Sequence, residues 1–144
     1  MGNYHLQNNM YKISKVTVKD LTNINKLENH LKLNETRLDF LNQILLINNF
    51  EFVKLVLDNQ IIGVLNFSWN KNDCDIISIG IVEKFQKMGY GKCLIRYLIN
   101  LNFKNIYVEV SSNNEDAVIF YQKLNFLKIG LRKNYYKKLN TNAI

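Results

Sequence analysis

Three of the chain's six glycines, Gly80, Gly89 and Gly91, fall within one short stretch, in a chain that has no proline at all. The stretch reads Ile79-Gly80-Ile81-Val82-Glu83-Lys84-Phe85-Gln86-Lys87-Met88-Gly89-Tyr90-Gly91-Lys92. It follows a β-rich run over residues 75–82. It precedes a segment, residues 89–101, in which Leu94, Ile95, Leu98 and Leu101 recur at helical spacing. Glycine lets the backbone take positive φ and approach a ligand closely. The unpaired N–H groups of the helix's first turn then point outward with the positive end of the dipole, a ready site for phosphate. Lys87 and Lys92 add positive charge. Two common phosphate loops are excluded. Gly91-Lys92-Cys93 lacks the Ser or Thr of the Walker pattern, and the G-x-G-x-x-G spacing is absent. An ordinary strand-to-helix turn would use glycines in the same way, and glycine count alone leaves those two readings level.

The rest of the chain supplies the layers around this junction. Residues 11–18 alternate loosely and predict a first strand. Asp20 is placed to cap a helix carrying Leu21, Ile24, Leu27 and Leu31 on one face. A second helix is expected over about 35–47, with Asn34 as its cap and Leu38, Leu41, Ile44 and Leu45 as its stripe. Phe- and Val-rich residues 50–57 and 61–69, joined by Asp58-Asn59-Gln60, predict a hairpin. A long strand over 75–82 follows a turn at 70–73. Beyond the glycine loop come a strand over 105–110, a helix over about 114–124 and a strand starting near Leu127. The order β-α-α-β-β-β-α-β-α-β predicts an α/β (α+β) architecture, a mixed sheet with helices on both faces.

At 144 residues the chain is expected to form a single domain, 1–144. No run approaches the ~18 apolar residues a membrane span needs. The polar start, residues 1–11, lacks the apolar core of a signal peptide, so the expected location is the cytoplasm with no membrane partner. Cys74 and Cys93 have no metal or redox spacing, and His5 and His30 are distant in sequence. Two free thiols and no metal are expected. The net charge of +7 comes with an excess of Asn, Lys and Ile, a bias that an AT-rich genome produces by itself. No dense basic run is present, so direct nucleic-acid binding is not expected.

The full spacing of the glycine loop decides more than its glycine count. Gln86-x-x-Gly89-x-Gly91 resembles the Q/R-x-x-G-x-G/A signature of GNAT acetyltransferases, a family with a mostly antiparallel mixed sheet. In that family the loop cradles the pyrophosphate of acetyl-CoA. The resemblance implies that Gln86, Lys87, Met88, Gly89, Tyr90, Gly91 and Lys92 bind this co-substrate. Downstream, the strand Ile106-Tyr107-Val108-Glu109-Val110, the Asn114-led helix and Tyr121-Gln122-Lys123-Leu124-Asn125-Phe126 resemble the family's distal motif. Asn125 stands where the family has glycine, a mild departure, because Asn also tolerates the left-handed conformation that ends helices. Glu109, Asn114, Tyr121 and the run Leu131-Arg132-Lys133-Asn134-Tyr135-Tyr136 are similar to bacterial RimI-type enzymes, which acetylate the N-terminal alanine of a small-subunit ribosomal protein. The likeness covers about residues 75–136 and is weaker before residue 50.

That resemblance implies transfer of an acetyl group from acetyl-CoA to a protein N-terminus, with Asn114 assigned to the cofactor side and Tyr135 and Tyr136 to the peptide. A Glu in an apolar strand, Glu109, can take the ammonium proton through water, burial raising its pKa. The Tyr121 phenol can protonate the leaving thiolate. Backbone N–H groups of Ile79, Gly80 and Ile81 can hold the acetyl oxygen and the pantetheine arm, because in the family two central strands splay apart there. A small-amine acetyltransferase and a non-catalytic acyl-CoA-binding module stand as alternatives. The family also ends on an apolar strand inserted between the fifth and sixth. The chain stops at Asn142-Ala143-Ile144, so that strand is expected to be very short or cut off, leaving unpaired edges.

Overall fold

Asp58 and Asn59 take φ of 50° and 64°. Two successive left-handed residues make the hairpin turn whose twist matches that of its flanking strands. Leu57 and Gln60 close it as a register pair, joining β3 (Phe50–Leu57) to β4 (Gln60–Asn70). The computed structural model describes residues 3–6, 9–31, 48–129 and 134–143. Asn34, the helix expected over 35–47, the segment 131–133 and Ile144 lie outside these residues.

The remaining strands are β1 (Asn3–Leu6), β2 (Asn9–Lys15), β5 (Asp73–Ile81), β6 (Asn105–Glu109), β7 (Leu127–Ile129) and β8 (Tyr135–Leu139). The helices are α1 (Leu21–His30), α2 (Tyr90–Ile99) and α3 (Glu115–Lys123). The eight strands form one sheet in the order β1-β2-β3-β4-β5-β6-β8-β7. Every described pairing is antiparallel except β5 with β6, which is parallel, and α2 supplies the crossover between them. The expectation of a mixed, mostly antiparallel sheet in the α/β class holds.

Two cores cover the two faces, because strand residues alternate sides. On one face Val53, Leu55, Leu65, Phe67, Cys74, Ile76, Ile106, Val108 and Tyr136 pack with Leu94, Ile95 and Leu98 of α2 and Tyr121 of α3. On the other, Phe52 and Val64 pack with Val16 and with Leu21, Ile24 and Leu27 of α1. Cys74 and Cys93 are free and buried.

Four local expectations change. A strand, β1, precedes the first expected one and pairs with it as a hairpin. Asp20 does not cap α1. Its Oδ2 accepts from the Thr17 N–H at 2.8 Å and hydroxyl at 3.0 Å, and from Lys54 Nζ at 2.7 Å, so it ties α1's approach to β3. Burial raises its carboxyl pKa, but the Lys54 and Thr17 bonds outweigh this and hold it below the usual value. Leu101, expected in the core, is 41% exposed, because α2 ends at Ile99 and the chain turns away. The inserted strand lies earlier in the chain than expected. It is β8, which pairs with β6 on one side and β7 on the other, so no gap is left between them.

Candidate functional site

The sheet opens beside the glycine loop. β5 and β6 pair from Asp73–Asn105 to Ile76–Val108 and no further, although β5 runs on to Ile81 against β4. A register shift lies between Asn66 and Phe67: Phe67 faces Ile76 and Asn66 faces Ser78, so Ile77 is an extra residue on β5. A bulge of this kind bends its strand. The bend coincides with the parting, and from Ile77 to Ile81 the side of β5 turned toward β6 has no strand partner among the described residues.

After β5 the chain makes a short 3-10 turn, Glu83–Phe85, and then two left-handed residues, Lys87 at φ 62° and Gly89 at φ 94°. The Gln86 Nε2 donates to the Ile81 carbonyl at 2.8 Å and ties the loop to the end of β5. Gly89 caps α2, and the first intrahelical bond runs from the Cys93 N–H to the Gly89 carbonyl at 3.2 Å. The amides of Tyr90, Gly91 and Lys92 therefore have no carbonyl within the helix to donate to. A Cβ on Gly91 would sit 3.2 Å from the Phe120 ring. That closeness lets α3 draw up to the start of α2. Asn114 caps α3, its Oδ1 accepting from the Ala117 N–H at 3.1 Å.

A cavity of about 990 Å³ runs along this opening. Its lining brings together Ile79, Gly80, Ile81, Gln86, Lys87, Gly89, Gly91, Lys92, Glu109, Asn114 and Tyr121. Tyr121 is buried between Phe120 and Phe126, each ring centroid 5.0 Å away, and burial pushes its phenol pKa up, which keeps it protonated. Glu109 is exposed at the last position of β6, so the burial on which its expected behaviour rested is absent.

Four residues expected at the site do not line the cavity with their side chains. Tyr90 is 2% exposed, its ring set edge-on against Tyr11 and Phe85, which leaves only its amide for a ligand. Met88 packs against the core beside it. The tyrosine pair is divided, because neighbours on a strand face opposite ways. Tyr136 lies in the core, 3% exposed. Tyr135 stacks on Tyr107 at 5.6 Å on the α1 face and donates its hydroxyl to Asp75 Oδ1 at 3.1 Å. Sequence reasoning missed Ser78, Phe85, Ser111, Asp116, Phe120 and Lys123 in the lining. Phe120 and Lys123 were recoverable from the three-residue spacing that puts them on Ala117's side of α3.

A profile of the acetyltransferase (GNAT) family matches residues 17–126. The chain belongs to the GNAT family. Among GNAT relatives, the N-alpha-acetyltransferase 50 of Danio rerio is 32% identical over 99 residues, 62% of this chain and 59% of that protein. The [ribosomal protein bS18]-alanine N-acetyltransferase of Haemophilus influenzae is 32% identical over 90 residues, 60% of this chain and 61% of that protein. The matched part thus spans about three fifths of the length of these curated relatives. The crystal structure of the ribosomal-protein-S18-alanine N-acetyltransferase from Escherichia coli superposes with a TM-score of 0.79 at 16% identity. It covers 91% of this chain and 94% of that one, a likeness of GNAT fold.

The GNAT loop fits acetyl-CoA on its own geometry. Two left-handed residues turn the chain, three helix amides are free to donate, and no side chain stands at Gly91 between the loop and Phe120. Lys87, Lys92 and Lys123 ring the cavity with positive charge.

Proposed function

We propose that the protein transfers the acetyl group of acetyl-CoA to the α-amine at the N-terminus of a protein, a small-subunit ribosomal protein being the favoured acceptor. The observation that carries this reading is the parting of β5 from β6 beside the glycine loop, which leaves backbone donors facing a cavity that also receives Tyr121 and Glu109. The pyrophosphate would lie on the amides of Tyr90, Gly91 and Lys92, and the thioester carbonyl on the free edge of β5 over Ile79–Ile81. Hydrogen-bond donors aimed at a developing oxyanion lower the barrier by about 3 kcal/mol each.

The reaction balances with the residues present. The neutral amine attacks the thioester carbonyl carbon and a C–N bond forms. The excess proton on nitrogen passes to Glu109 through water. The C–S bond breaks, and the thiolate takes its proton from the Tyr121 hydroxyl. An exposed Glu109 suits a modest base, and an α-amine asks only for that. Its reference pKa is near 7.7–8.0, against about 10.4 for lysine, so at neutral pH its free-base form is roughly hundreds of times more available. The two relatives, an N-alpha-acetyltransferase and a ribosomal-protein alanine N-acetyltransferase, favour the same class of acceptor.

Mass spectrometry of short peptides differing at their first residues, each with an internal lysine, tests the reading. Acetylation is expected at the free N-terminus and not in the same peptide with its N-terminus blocked. Comparable acetylation of lysine in the blocked peptide would overturn it.

A further inference from the structure

The half of the sheet built from β5, β6 and β8 has one face in the core and one that the α1 cluster does not reach. Cys74, Ile76, Ile106, Val108 and Tyr136 pack under α2 and α3. Strand side chains alternate, so Asp73, Asp75, Tyr107, Glu109, Tyr135 and Lys137 face the other way. The cluster packed under α1 draws on β3 and β4 and holds no residue of β5, β6 or β8. This second face runs into the catalytic opening. At its inner end lie Glu109 and Ile77, both exposed and both lining the cavity.

Its charge is opposite in sign to that of the molecule. The chain carries +7, yet on this face three carboxylates, those of Asp73, Asp75 and Glu109, stand against one lysine, Lys137. None of the three has a cationic partner among the described residues. Neutral donors fix two of them. The Tyr135 hydroxyl donates to Asp75 Oδ1 at 3.1 Å, and Asn105 Nδ2 donates to Asp73 Oδ1 at 2.8 Å. Tyr135 in turn stacks on Tyr107, and Lys137 Nζ lies 5.7 Å from the Tyr107 ring centroid, so the face already holds one cation of this chain against an aromatic ring.

We propose that this face receives the acceptor chain beyond its reacting amine, and that Asp75 selects acceptors with a basic side chain at the third to fifth residue. The inference rests on the acceptor being a protein N-terminus. Spacing sets the position. The amine meets the thioester carbonyl beside Ile79–Ile81, and Asp75 lies four residues back from Ile79 along β5. That is about 13 Å at the rise of a strand, a length an extended peptide covers in about four residues. Alternate side chains share a face in both chains, so Asp73 stands ready for a second cation two residues further on. A carboxylate already fixed by a hydrogen bond loses little freedom when a cation docks. Elsewhere a chain of +7 repels a basic peptide, so these carboxylates set where it lies.

The test uses peptides with a free N-terminus and a single arginine moved through positions two to six, beside the same peptide with glutamine in its place. Arginine stays charged and is not itself an acceptor. Wild type is expected to show kcat/KM about fivefold higher for arginine at positions three to five than for glutamine, the upper scale of an exposed ion pair. Raising salt should shrink that ratio. Asp75→Asn keeps an oxygen for the Tyr135 hydroxyl but removes the charge, and the ratio is expected to fall to parity. Asp75→Lys should reverse the preference, favouring glutamate at the same positions. Each ratio is taken within one protein, so a general loss of activity does not alter it. A wild-type ratio at parity in every position, or a preference that Asp75→Asn preserves, overturns the inference and leaves the N-terminal acceptor standing. If spermidine is acetylated but no peptide N-terminus is, that acceptor reading falls and this inference with it.

Discussion

At the scale of single residues, Tyr121 and Glu109 come to the site with opposite surroundings. Tyr121 is 3% exposed, and burial keeps its phenol protonated, as a proton donor to a leaving thiolate must be. Glu109 is solvent-exposed, reached by water, and paired in register with Tyr135. Tyr121→Phe removes one hydroxyl from a ring held by Phe120 and Phe126, so packing survives. Turnover is expected to fall about 10²–10⁴-fold, the usual worth of a general acid or base, with acetyl-CoA affinity nearly unchanged. Steady-state kinetics beside calorimetry checks this, and wild-type turnover would return Tyr121 to a packing role. Asn125 shows how a residue's chemistry can be read before its surroundings are known. It takes φ 68° where α3 ends, the conformation that its replacement of the family glycine required.

At the scale of elements, the decisive unit is β5, the loop and α2. The glycines at 89 and 91 do different jobs. Gly89 holds φ 94°, which a side chain rarely adopts, and Gly91 lets α3 approach. Gly89→Asp would strain the cap and set a negative charge beside the proposed pyrophosphate. Acetyl-CoA affinity is expected to drop at least tenfold, about 1.4 kcal/mol or more. Calorimetry on the folded variant would read this, and an unchanged Kd would move the cofactor elsewhere. The strand β8 was the element least visible in the sequence. Tyr135-Tyr136-Lys137-Lys138-Leu139 carries two lysines, one over the Tyr107 ring at 5.7 Å and the other donating to the Leu124 carbonyl at 2.8 Å. A strand at which cations find local partners shows little apolar alternation, so the period-two pattern does not mark it.

At the scale of the whole molecule, stability is tied to pH through Glu28. This α1 residue is 1% exposed, its Oε1 has no partner among the described residues, and burial raises its pKa to about 7 from 4.5. The folded state therefore holds the proton more tightly than the unfolded chain. Stability from this group is greatest below pH 4.5 and declines as pH rises to about 7, a loss on the order of 3 kcal/mol at most. Thermal melts at pH 5 and pH 8 should show wild type losing ground to Glu28→Gln at the higher pH. Equal melting of the two proteins at pH 8 would mean that Glu28 is solvated or paired. Local sequence determined whatever depends on short range: the hairpin turn at Asp58-Asn59, the left-handed Asn125, the Asn114 cap, and the strand–glycine–helix junction with its family spacing. Each is settled by backbone sterics or by hydrogen bonds within a few residues. Only the tertiary structure decided the parting of β5 from β6, the insertion of β8 between β6 and β7, the division of Tyr135 from Tyr136 and the pairing of Asn66 with Ser78. Those depend on which distant strand lies alongside and in what register, and register, with a side-chain period of two, is chosen by the packing of both sheet faces at once.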